Sequence, residues 1–88
     1  MKTFPDAPQH PIAQAIAHLL DAELHLYGTT AAYNAACEML YAVSGLLEGA
    51  DTNQQTIELL EGADVTRTDL EAFGDWLDDK ASQFSQVN

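Results

Sequence analysis

The sequence predicts an all-α domain of four helices, built on an antiparallel helical hairpin with the third helix short. Three observations lead there. Apolar residues recur at helical spacing in four segments, helix start and stop residues bound each segment, and only two or three residues separate the first two. An 88-residue chain is one domain, and its core is thin, because a chain this small buries only about 60–65% of the surface it exposes when unfolded. We divide it into an extended N-terminal arm over 1–9, where Pro5 and Pro8 break any period, and a helical domain over 10–88.

Pro11 suits the first helical position because its missing amide hydrogen would be unpaired there anyway, which makes His10 the cap. The first helix should run from Pro11 to Tyr27 and stop at Gly28. Ile12, Ile16, Leu19, Leu20, Leu24, Leu26 and Tyr27 cover nearly half its circumference, with Gln14, His18, Asp21 and His25 opposite. An arc that wide needs more than one neighbour, and a homodimer would supply one. Glu23 falls inside this arc. A buried lone carboxylate is costly, so Glu23 either lies at an interface edge, pairs with a tyrosine or Arg67, or faces a partner.

The second helix starts at Thr29 or Thr30, either of which could cap it. Its apolar face is Ala32, Tyr33, Ala36, Met39, Leu40, Val43, Leu46 and Leu47, and the two alanines allow close approach of a neighbour. The hexamer Leu-Leu-Glu-Gly-Ala-Asp ends it at 46–51 and recurs at 59–64. Thirteen residues is too short for a solenoid period, and the flanks do not repeat. We read both copies as a helix stop, with Gly49 and Gly62 taking the left-handed conformation. A short third helix then covers about 52–61, started by Asp51 or Thr52. The fourth starts at Thr66 or Thr68 and runs to about Gln83. Leu70, Phe73, Leu77, Ala81 and Phe84 form its buried stripe, with Trp76 on the shoulder and partly accessible.

Charge is the strongest compositional signal: 14 acidic against three basic residues, a formal net charge of −11. Such a surface is repelled by phosphates and anionic lipid, so neither direct nucleic-acid binding nor membrane binding is expected. A basic protein surface would be attracted. The single cysteine, Cys37, excludes an intramolecular disulfide. The N-terminus lacks the apolar core of a secretory signal, and no apolar run reaches the ~20 residues of a membrane span, so a cytoplasmic protein is expected.

Chemical motifs fail on spacing. His18, Asp21 and His25 share one face of the first helix and could converge on zinc or nickel, but they lie on its polar stripe, and solvation explains them. The acidic segments after Asp51 and Asp64 lack the glycine at position six and the glutamate at position twelve of a calcium loop. Cys37 has no histidine near it in sequence, and no glycine-rich phosphate loop occurs. No catalytic residue, metal or cofactor is assigned, and the chain is not read as an enzyme. The stretch Phe73–Lys80 resembles helical tails of small acidic phage-encoded inhibitors over eight residues.

The function expected is a small cytosolic interaction protein, a regulator or adaptor that binds a partner protein through helix faces. Trp76, Tyr41, Asp75, Asp78 and Asp79 form the surface to test, since aromatic anchors in a charged surround typify binding patches. The rival is a nucleic-acid-mimicking inhibitor that occupies a basic groove, for which salt sensitivity discriminates. A metal-dependent enzyme, the third class, would require stoichiometric metal in the purified protein.

Overall fold

The computed structural model describes Phe4 and residues 6–86. Four helices follow in order: α1 (Pro11–Tyr27), α2 (Thr29–Gly49), α3 (Gln54–Gly62) and α4 (Arg67–Ser85). No strand occurs among the described residues. The all-α class, the four helices and the hairpin of the first two are thus as the sequence predicts. α2 is the central element. It packs most extensively on α4, next on α1 and least on α3. The result is an elongated molecule of 41 × 23 × 18 Å.

The hairpin turns on one residue, not two or three. Gly28 has φ +100° and ψ −176°, a conformation that strains any side chain. Its N–H donates to Leu24 C=O, and its own C=O accepts from Ala32 N–H, so it closes α1 and opens α2 at once. Thr29 and Thr30 are therefore inside the first turn, and no side chain caps α2. Ala32 and Ala36 are fully buried, as the close approach of neighbouring helices requires.

His10 does more than cap. Its Nδ1 accepts from Ile12 N–H at 3.1 Å, which leaves the hydrogen on Nε2, 3.0 Å from Asp64 C=O. The start of α1 is thereby tied to the α3–α4 turn. Asn53 starts α3 by accepting from Thr56 N–H. The caps expected for it are used otherwise: Thr52 donates its hydroxyl to Glu48 C=O, and Asp51 pairs with Arg67 at 2.6 Å. Thr66 is the cap of α4 and forms a reciprocal capping box with Asp69. Val65 and Leu70, the flanking staple pair, are both buried.

The twin hexamers stop their helices differently, which corrects the expectation of two left-handed glycines. Gly28 is the one glycine with positive φ among the described residues. After the second copy, Asp64 takes the left-handed conformation (φ 56°), with Val65 N–H bonded to Leu60 C=O and Asp64 N–H to Glu61 C=O. Leu60 and Val65 are both buried, so this is a Schellman stop with its hydrophobic contact. After the first copy the chain continues through α-region turns, with Asn53 N–H reaching Gly49 C=O. Gly49 serves close approach: a Cβ there would lie 2.7 Å from Thr56 Oγ1. Gly62 faces open space.

Phe4 and Asp6, ahead of α1, pack on α4. Ala7 is buried, and Phe4 sits edge-on to Trp76 and Phe84 at centroid distances of 5.8 and 6.1 Å. Under it lies Lys80, 5% exposed, the one buried charged residue among those described. Its ammonium pairs with Asp6 at 2.8 Å and stands 5.3 Å from the Phe4 ring and 5.8 Å from the Trp76 ring. The aliphatic stem fills the core edge while two ring faces and a carboxylate hold the charge. That ammonium holds the Asp6 carboxyl below its ordinary range.

Candidate interaction surface

The surface expected around Trp76 is not assembled. Trp76 is 7% exposed, because α4 buries an arc wide enough to take in Trp76 and Lys80, and Phe4 covers the indole. Its Nε1–H is buried without a hydrogen-bond partner among the described residues. The expectation of an accessible ring is corrected: Trp76 is a core residue. Asp75, Asp78 and Asp79 are exposed on α4, and Asp79 accepts from Gln83 Nε2 at 2.9 Å. Tyr41, 84% exposed on α2, remains a free aromatic.

Part of the broad apolar arc of α1 stays uncovered. Two stripes run along this helix, each with the 4-3-4 spacing that lets one helix seat against another. Ala13, Ala17, Leu20 and Leu24 form the inward stripe, buried or half-buried. Ala15, Leu19, Ala22 and Leu26 form the second, and all four are exposed. Leu19 and Leu26 expose 57% and 71% of their surface, and neighbouring Tyr27 73%. α1 packs chiefly on α2, and α4 lies mainly against α2, so the second stripe stays exposed.

Between this outer stripe and α2 runs an open groove of ≈ 310 Å³. Leu19, Ala22, Leu26 and Tyr27 line it from α1, and Ala35 and Met39 from α2. Glu23 and Glu38 also line it, one from each helix. Glu23, anticipated as the odd carboxylate of the arc, is half-buried here. Arg67, one of its anticipated partners, pairs instead with Asp51 and Glu71, and Lys80 pairs with Asp6. Sequence reasoning marked Glu23 but missed Leu19, Leu26 and Glu38 as a surface. The wide arc was the available signal, and only the position of α4 reveals which part of it stays bare.

No family model, curated protein or solved structure matches the chain.

A second, wholly apolar cleft of ≈ 240 Å³ lies where all four helices meet, with Ile12, Ile16, Val43, Leu46, Leu60 and Phe73 among its walls. Among the described residues no polar group lines it to orient a ligand. The residues weighed for metal binding form a local pair: His25 Nδ1 lies 2.7 Å from Asp21 Oδ1 and 2.9 Å from Asp21 C=O. Among the described residues no group of three or more His, Cys, Asp and Glu is placed to hold an ion. Cys37 is half-buried beside Tyr33, whose phenol it pushes above its ordinary range by hydrogen bonding. No described helix is long and apolar enough to cross a membrane.

Proposed function

We propose that the protein is a protein–protein interaction module, a small regulator or adaptor that engages its partner through the outer face of the α1/α2 hairpin. One observation carries this: a helical stripe spaced for helix packing, Ala15–Leu19–Ala22–Leu26, is exposed and continuous with an apolar groove. Monomeric proteins rarely leave an ordered apolar face of this kind uncovered. The homodimer expected from the width of α1 is the form of this reading in which a second copy is the partner.

The exposed carboxylates of α4, among them Asp75, Asp78 and Asp79, support the second reading, an inhibitor that mimics nucleic acid in a basic groove. Capture from the native cell separates the two, with wild-type protein and Leu19→Ser/Leu26→Ser as paired baits at low and high salt. A partner lost from the double variant but retained in salt supports the hairpin face. One retained by the variant but released by salt supports the mimic.

A further inference from the structure

We propose that the α1/α2 groove receives a basic amphipathic helix: an apolar stripe seated on Leu19, Leu26 and Met39, with flanking lysine or arginine side chains held by Glu23 and Glu38. The inference rests on the interaction-module reading and names the occupant. Shape comes first. The outer stripe from Ala15 to Leu26 spans roughly 17 Å at 1.5 Å per residue, about three turns of a partner helix. Ala22 and Ala35 on the two walls let a helix backbone approach closely, while the larger side chains offer apolar contact. A third helix laid in such a groove is a recurrent mode of peptide recognition.

Charge then selects among helices. The groove carries one carboxylate from each wall, and among the described residues no cation lines it. Arg67 and Lys80 are engaged elsewhere. An acidic helix would place like charges side by side in a partly desolvated seam, and a neutral one would leave both carboxylates without partners. A second copy of this chain has the same defect. A two-fold interface is self-complementary, so it would bring a second Glu23 and Glu38 into the seam, with no cation among the described groove residues to meet them. A helix flanked by lysine or arginine satisfies both requirements.

The test uses the full chain and three fluorescent peptides of about four helical turns, one of leucine and lysine, the others with glutamine or glutamate in place of lysine. Anisotropy should show the lysine peptide binding about tenfold or more tighter than the glutamine peptide, and the glutamate peptide not at all. Glu23→Gln/Glu38→Gln should lose about tenfold for the lysine peptide, and Leu19→Ser/Leu26→Ser should abolish binding with an unchanged thermal transition. Asp75→Asn/Asp78→Asn makes the same change in net charge away from the groove and should have little effect. An equal loss there makes the affinity a net-charge effect and overturns the inference. Equal binding of the lysine and glutamine peptides also overturns it, while leaving the interaction-module reading intact. A dimeric mass by light scattering that becomes monomeric in the Leu19→Ser/Leu26→Ser variant overturns it in favour of a second copy. If no peptide binds and the leucine variant captures the same cellular proteins as wild type, the module reading fails with it.

Discussion

Phe4 meets Trp76 edge-on, with ring centroids 5.8 Å apart and ring planes at 76°. A residue of the N-terminal segment thereby becomes the lid of the α4 core. Trp76→Ala should cost about 3–5 kcal/mol of folding stability, the range for removing a buried large aromatic residue. Phe4→Ala should cost less, about 0.5–1.5 kcal/mol for the lost aromatic pair plus its share of burial. It should also leave Trp76 open to acrylamide quenching. The measurements are urea unfolding and quenching of the single tryptophan; a Phe4→Ala protein whose Trp76 stays shielded would refute the lid.

Lys80 should divide its substitutions by shape. Lys80→Met keeps the buried stem and removes a charge that is expensive to desolvate, so stability should be unchanged or higher. Lys80→Ala removes the stem and should destabilise by about 1–3 kcal/mol. Asp6→Ala leaves the ammonium with two ring faces and no carboxylate, and should fall between them. Denaturant midpoints of the three variants give the order.

Acid should loosen α4 at its N-terminal cap, where Asp69 sits, and near its other end, where Asp6 meets Lys80. The Lys80 ammonium lowers the Asp6 pKa below its ordinary 3.8, and the Thr66 backbone N–H does the same for Asp69. Each group favours its charged form in the fold. The stability it contributes is therefore complete above the ordinary pKa and disappears as pH falls through the lower folded value. Urea midpoints measured from about pH 6 to about pH 3 should decline, and the Asp6→Asn/Asp69→Asn protein should decline less steeply.

The repeated hexamer offers a comparison within one chain. Gly62→Ala faces open space and should stabilise by about 0.5–1 kcal/mol, the helix preference of alanine over glycine. Gly49→Ala drives a methyl against Thr56 Oγ1 and should destabilise by about 1–3 kcal/mol, with partial rescue by Thr56→Ala. Asp64→Gly relieves a left-handed side-chain residue and should gain about 0.5–1 kcal/mol. Thermal unfolding of the four proteins tests all three signs.

Local rules were legible in the chain. Pro11 and Gly28 bound α1, Thr66 starts α4, and the apolar periods place Ala32, Ala36, Leu70, Phe73 and Leu77 inward. These are properties of a helix and its caps, set by residues three or four apart. Tertiary structure decided what each surplus of apolar surface meets. Trp76 lies at the edge of its stripe in sequence, yet Phe4, 72 positions away in the chain, closes over it. Lys80 carries a charge, yet Asp6 and two rings enclose it. Leu19 and Leu26 belong to the same arc as Leu20, and only the packing of α4 on α2 leaves them bare beside Glu23 and Glu38. Helix periodicity fixes which residues share a face, whereas burial depends on which distant segment arrives to cover it.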